Sequence, residues 1–585
     1  MLLGLAALSL SAAAQPVATL IVHNAKIVTL DDAAPTAQAV AIANDRIIAV
    51  GSNDAILKQR SSTTQVVDAK GQTVIPGLYD SHLHVIRAGR SYNQETRWDG
   101  VKTLSRALTL LKEQAARTPK GQWVRVVGGW NEYQFAEKRL PTLEEINDAT
   151  GNVPTFILYL YGMAYLNKAG LAALSITDTS KAPEGGQIQK DRSGQPTGML
   201  IANPNAMILY STLAKLPKLS AAEQFNSTKQ FVAELNRLGL TSAMDAGGGF
   251  QAYPDDYSIT DSLSKLGQLN IRIPYYLFAQ KPGKELQDYQ KWVSMIDIDH
   301  QPGEEQPVEY FVEGGGESLV IAGGDFENFL KPRPELSLAM DKQLKDVLTV
   351  LIKNRWPFRL HATYNESISR FLNVIEAVNK QYPIKGLPWL FDHAETVSEE
   401  NLKRIKALDG GISIQNRMAF QGEAFVKRYG KTPALNAPPI RRMLTMKIKV
   451  GAGTDGTRVS TYNPWISLYW LVTGKTVGGM QHAADSNKLD RTTALKLFTQ
   501  GSASLVNQDK ELGKIKVGML ADLAILSADY LTVDAEEIKN ITAHLTVLNG
   551  KVVYASGAYG AMAPPSEKAI PEWSPVNFYG GYQAK

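Results

Sequence analysis

The 585-residue chain contains no cysteine, which excludes both a disulfide framework and a thiolate metal site. It also lacks any apolar run long enough to cross a bilayer as a helix. Charge of one sign is scarce too. Sixty-two Lys and Arg against 57 Asp and Glu leave a formal net charge of +5, with no dense basic stripe, so nucleic acid is excluded as an expected partner. What remains is ordinary globular composition, 44% hydrophobic and 20% charged, in a chain long enough for one large domain and a smaller one.

The N-terminus reads as a leader. The apolar run Met1–Leu10 leads into Ser11-Ala12-Ala13-Ala14, an h-region followed by a small-residue cleavage site, although a basic n-region is missing. The expectation is a signal peptide over 1–14 and an exported protein, periplasmic or secreted, with no membrane attachment once the leader is removed.

Residues 18–73 and 505–560 are strand-rich, with turn chemistry at Asn44-Asp45 and Asn549-Gly550. Two such ends around a large middle predict one composite β domain, a small sandwich assembled from both termini. Between them, strand-like segments alternate with helical stretches. The segments are Thr73–Asp80, Thr241–Asp245, Ile271–Phe278, Val308–Glu313, Phe358–His361, Trp389–His393, Gly411–Gln415 and Lys449–Asp455. Eight of them predict an α/β fold, a (β/α)8 TIM-type barrel over 74–504, whose catalytic groups sit at the C-terminal strand ends. Residues 86–240 are too long for a normal connection after the first barrel strand. They hold Trp98, Trp123, Trp130 and Phe156–Tyr161, and are read as an insertion that forms a lid over the barrel mouth. A C-terminal tail occupies 561–585, and it could dock on this chain or on a neighbouring subunit.

The chemistry concentrates at the predicted strand tips. In Asp80-Ser81-His82-Leu83-His84 two imidazoles share one side of a strand and make half of a transition-metal site. His361, His393 and Asp455 end three further strands. An aspartate on the last strand of a closed barrel lies beside the first. This set of donors points to a divalent metal, zinc before manganese or iron. His23, His300, His482 and His544 lie away from the tips and are read as structural.

These residues resemble the amidohydrolase superfamily, in the branch called amidohydrolase family 3, which includes N-substituted formamide deformylases. The resemblance covers Pro76-Gly77-x-x-Asp80-x-His82-x-His84, His361, His393 with Glu395, and Gly453-Thr454-Asp455. It extends to Asp191–Gly198 in the insertion and to Gly513–Ala524 near the C-terminal end. It implies a metal-dependent hydrolase of a non-peptide carbon–nitrogen bond in a small molecule, an amide or formamide. His82 and His84 would hold the more buried metal, His361 and His393 a second, giving one or two per chain, and Asp455 would contact the metal-bound water and carry its proton. Many relatives place a carboxylated lysine on the fourth strand. Here Glu309 falls at the aligned position, and the expectation is that its carboxylate bridges the metals directly. Arg417, Tyr161 and Trp130 are candidates for substrate contact, Asp245 orients its neighbours, and Glu395 supports the His393 loop. Homo-oligomers are common in the family. The alternatives are hydrolysis of a lactone, carbamate or ester at the same site, or a non-catalytic binding protein that kept the fold.

Overall fold

A computed structural model describes residues 17–203, 205–298, 309–326 and 328–582. The leader read over 1–14 and His300 lie outside them. Among the described residues no helix is long and apolar enough to cross a membrane.

Eight strands form one parallel sheet in sequential order. They are β1 (Leu78–Leu83), β2 (Leu240–Asp245), β3 (Ile273–Leu277), β4 (Tyr310–Gly315), β5 (Phe358–Ala362), β6 (Trp389–His393), β7 (Gly411–Gln415) and β8 (Lys449–Gly453). The runs are short, apolar and almost wholly buried, as strands covered on both faces require. The last strand meets the first. Asp80 Oδ1 accepts from the backbone N–H groups of His82 and Thr454 at 2.9 and 3.1 Å, and Asp455 N donates to the His82 carbonyl at 2.7 Å. A side chain at Gly453 would put its Cβ 2.5 Å from the His82 nitrogen, so this approach admits only glycine. The result is the expected TIM-type barrel.

The first predicted strand is in fact two. Thr73–Pro76 pairs with Leu523–Leu526 and Lys26–Val28 in a separate sheet, and the barrel strand begins only at Leu78. Gly77 is the joint: a Cβ there would fall 2.2 Å from Thr241 Oγ1. An uninterrupted apolar run conceals such a break, because a strand buried on both faces shows no alternation at which the change of sheet would register.

That separate sheet has six strands, drawn from residues 26–76 and 523–555, and it packs beside a four-stranded sheet from residues 20–68. Val22, Ile27, Val40, Val74, Ile525 and Val547 share one core between them. Below the barrel, the buried pair Arg272–Asp522 at 2.7 Å and the hydrogen bond from Arg272 to Asn549 at 2.6 Å tie the sheets to β3.

The long segment between β1 and β2 carries its own five-stranded sheet over residues 124–202. Asp191–Gly198 there includes an exposed hairpin turn, in which Asp191 Oδ1 accepts from the Ser193 and Gln195 amides. The tail returns to its own chain. Asn93 donates to the Ile570 carbonyl, Gln114 to that of Trp573, and the Arg117 guanidinium lies 4.0 Å from the Phe578 ring centroid.

His482 illustrates a histidine of structure. It is 1% exposed, and its Nε2 accepts from the Trp470 indole N–H at 2.6 Å. Burial pushes its pKa down to about 4. The unfolded chain, with an ordinary imidazole near 6.5, therefore binds the proton more readily. Stability from this site is complete above pH 6.5 and is lost as pH falls toward 4, by about 2 kcal/mol between pH 7 and pH 5. Thermal melting at those two pH values should show a smaller drop for His482→Gln than for the wild type. Equal drops would refute the assignment.

Candidate metal centre

Five of the eight barrel strands deliver the donors of the site at or just past their C-terminal ends. His82 and His84 lie at the end of β1, His361 on β5, His393 on β6, Asp455 just past β8, and Glu317 two residues beyond β4. Their ligand atoms form three overlapping groups: His82 with His393 and Asp455, His82 with His84 and Glu317, and Glu317 with His361 and His393. Within each group the atoms lie within 4.8 Å of one another, and all are buried. Glu317 belongs to two groups, and its Oε2 also lies 3.7 Å from His82 Nε2. Oε2 lies 3.0 Å from His361 Nδ1 and 3.5 Å from His393 Nε2, while Oε1 lies 3.7 Å from His84 Nε2.

Hydrogen bonds behind the ring fix which imidazole nitrogen faces the centre. A backbone carbonyl can only accept, so the bond from His84 Nδ1 to Gly247 O places a proton on Nδ1 and turns Nε2 to the centre, 3.0 Å from Asp455 Oδ1. Asp392 does the same for His82, at 2.8 Å from Nδ1. The Arg359 guanidinium holds Asp392 in turn, Nε to Oδ2 at 2.8 Å. His82 Nε2, aimed at the centre, has no hydrogen-bond partner among the described residues. A buried orphan lone pair is costly in a protein interior and ordinary on a metal ligand.

The charges agree. Burial pushes the Glu317 carboxyl up, but His82, His361 and His393 outweigh it and hold it well below the usual range. Burial opposes ionisation of Asp455 as well, and Arg417, His82 and His84 overcome it. Asp392 is held down to about 2 against burial by Arg359 and His82. Burial lowers His84, with Arg87 adding to the effect, which keeps it neutral. Burial opposes the charged form of His82, but Asp392, Asp455 and Glu317 outweigh it and raise its pKa. Ionised carboxylates and imidazoles converging in a buried space are a fitting donor set for a divalent cation, which would take the place of the imidazole protons. The backbone is also strained there: His393, Ala394 and Asp455 have φ of 76°, 54° and 53°. Non-glycine residues hold such angles only where their surroundings over-determine them.

Glu309 is corrected. Its Oε1 accepts from Asn549 at 2.7 Å, and its backbone carbonyl from Ile273 N at 2.6 Å, which places it at the lower end of the barrel beside the small sheets. Glu317 lies eight positions further along the chain, past the far end of β4, a span of up to roughly 25 Å that no side chain crosses. The two share one parity in the sequence, so alternation could not separate them. The usable signal was position: Glu317 follows Gly314-Gly315-Gly316 at the strand tip, where the other donors lie relative to theirs.

Two candidate substrate contacts also change. Trp130 is fully buried between Trp98, Phe135 and Tyr159, and its indole N–H donates to the Leu158 carbonyl at 3.0 Å, so it is core of the insertion. Arg417 is fully buried and bonded to Asp455 Oδ2, which makes it a partner of the acid rather than an exposed anchor. Tyr161 does reach the site side. Its ring lies 5.4 Å from the Arg417 guanidinium carbon and 5.8 Å from the Phe326 ring, which lies 4.9 Å from His361. Asp245 accepts from the Ile86 and Gly247 amides and so orients the loop that bonds His84. Arg359, Asp392 and Asp325, which accepts from the Thr363 and Tyr364 amides behind His361, were not anticipated.

A family model described as "Amidohydrolase family" matches residues 65–554. The N-substituted formamide deformylase of Arthrobacter pascens is 25% identical over 92% of this chain and 98% of its own. The LONG AFTER FAR-RED 3 protein of Arabidopsis thaliana is 26% identical over 93% of each. Among solved structures, an uncharacterized metal-dependent hydrolase from Pyrococcus horikoshii OT3 superposes with a TM-score of 0.62 at 20% identity, over 88% of this chain and 99% of its own. The atrazine chlorohydrolase TrzN of Arthrobacter aurescens TC1, solved with zinc, gives 0.50 at 15% identity over 92% and 95%. At these identities the structural likeness speaks to fold.

Proposed function

The chain belongs to the amidohydrolase family, and we propose that it is a metal-dependent hydrolase of a small amide, formamides first, with Asp455 as the proton carrier. The observation that carries this reading is the carboxylate of Glu317 shared between two histidine groups at the barrel mouth. His82, His84, His361, His393, Glu317 and Asp455 would hold one or two divalent ions, zinc first given the imidazole and carboxylate donors. A cation bound there lowers the pKa of water from 15.7 to about 7 and polarises a carbonyl oxygen.

The protein's own groups do the rest. Asp392 and the Gly247 carbonyl hold the Nδ1 atoms of His82 and His84 and so turn their Nε2 atoms inward. Asp455 is held ionised by Arg417, so its Oδ1 can take a proton from the attacking water and return it to the departing nitrogen. Tyr161 and Phe326 present aromatic faces beside His361, and suit a substrate with an apolar body.

Two measurements test this. Elemental mass spectrometry on protein purified without chelators should find one to two equivalents of zinc or a related divalent metal. A panel of formamides, acylated amines, carbamates, lactones and esters should show turnover on a formamide or amide that a chelator abolishes and zinc restores. Turnover confined to esters or lactones would move the reading to another bond. No metal and no turnover would overturn it.

A further inference from the structure

Two guanidiniums near the metal centre have no acid to pair with. Arg87 lies three residues past His84 on the helix Val85–Gly89, and Arg458 lies three residues past Asp455. Both are half-buried. A Cβ placed on Gly248 would meet Arg87 Nη1 at 3.0 Å and His84 Nδ1 at 3.6 Å, so the Arg87 head lies near the Nδ1 edge of His84. The Arg458 guanidinium carbon lies 4.7 Å from the Tyr210 ring centroid. Among the described residues neither arginine has a carboxylate within ion-pair distance, and Arg458 Nη1 is buried without a hydrogen-bond partner. The nearby acids are engaged elsewhere: Glu95 with Ser91 and Arg97, Asp245 with the Ile86 and Gly247 amides, Asp455 with Arg417. Burial and the neighbouring Arg87 together push Arg458 down to about 9, so it remains charged at neutral pH.

Two like charges near one another and partly withdrawn from water, with no carboxylate at ion-pair distance, destabilise a fold unless something else fills the gap. The path between them and the metal centre is aromatic. Tyr210 lies 6.0 Å from Tyr161, Tyr161 lies 5.8 Å from Phe326, and Phe326 lies 4.9 Å from His361.

We infer that Arg87 and Arg458 receive a carboxylate carried by the substrate, whose apolar body lies along Tyr210, Tyr161 and Phe326 and whose amide reaches the metal centre. This rests on the hydrolase reading and narrows it to amides with an anionic end. Guanidinium forks suit a carboxylate in number and geometry of donors.

Calorimetry on the zinc-loaded full-length protein, with 3-phenylpropionate and its neutral analogue 3-phenylpropanol, tests the inference without requiring turnover. The acid should bind roughly 10- to 100-fold more tightly than the alcohol, the span of a charge-assisted hydrogen bond. Arg87→Gln and Arg458→Gln should each remove most of that preference. Equal binding of acid and alcohol by the wild type would overturn the inference. So would a preference that survives both substitutions, since the carboxylate would then lodge on the metal. Without probe, both variants should melt no lower than the wild type, because each loses a half-buried charge with no carboxylate at ion-pair distance. A lower melting temperature in both would make the pair a structural prop and would also overturn the inference. Loss of amide turnover in the separate panel would refute the hydrolase reading and leave this binding result standing.

Discussion

Glu317→Gln is expected to remove metal and turnover together. The carboxylate is shared between the histidines at the end of β1 and those on β5 and β6, so its loss weakens both halves of the centre at once. An amide keeps the volume but offers a neutral oxygen, and its N–H₂ would point at imidazole lone pairs meant for a cation. Groups that merely orient metal ligands typically contribute 10- to 100-fold in affinity or activity. A carboxylate inside the centre should exceed that, on the order of 10³-fold in kcat/KM, with metal content falling by at least one equivalent. Glu309→Gln is the paired control. It weakens a hydrogen bond to Asn549 at the lower end of the barrel, which costs at most about 1 kcal/mol of stability, and metal content and turnover should stay as in the wild type. Elemental analysis and steady-state rates on both variants decide the matter. If Glu309→Gln loses metal and Glu317→Gln keeps it, the placement of the shared carboxylate is wrong.

The contrast shows what a sequence can and cannot carry. His82, His84, His361, His393 and Asp455 are legible because each ends an apolar run, and eight such runs already imply a barrel whose ends are its active face. Glu317 was harder because 309, 313 and 317 share one parity in the sequence, which shows neither the register slip between Val312 and Gly314 nor the depth along the barrel that separates them. Glu313, at the same parity, is lifted to about 8 by burial, with Arg359 opposing. The break at Gly77 was hidden for a related reason: buried strands of two different sheets read as one run. Arg359 and Asp392 escaped because their role depends on crossing from one strand to the next, a relation that no spacing along the chain encodes. Trp130 misled because a tryptophan in an insertion over a barrel is equally apt as core and as pocket wall. Its indole N–H, satisfied by Leu158, settles it as core.

Arg417 is the residue through which the acid–base step can be read most directly. Asp455→Asn should lower kcat by roughly 10²- to 10⁴-fold, the usual worth of a positioned proton carrier, while metal stays bound through the four histidines and Glu317. That result alone would not separate proton transfer from a distorted centre. Arg417→Met does. The guanidinium and the two histidines hold the Asp455 carboxyl low against burial, so removing the guanidinium leaves burial less opposed, and the carboxyl titrates higher. An arginine beside an aspartate typically lowers it by 1–3 units, and the acid limb of the kcat/KM profile should move to higher pH by roughly that amount. The fraction of Asp455 able to accept a proton then falls from the acid end of the profile, where the variant should be most impaired, and recovers toward neutrality. If Arg417 served only packing, its loss would lower the whole profile without displacing the acid limb. A displaced limb in Arg417→Met, together with a flat, depressed profile in Asp455→Asn, would assign the titrating group to the Asp455–Arg417 pair.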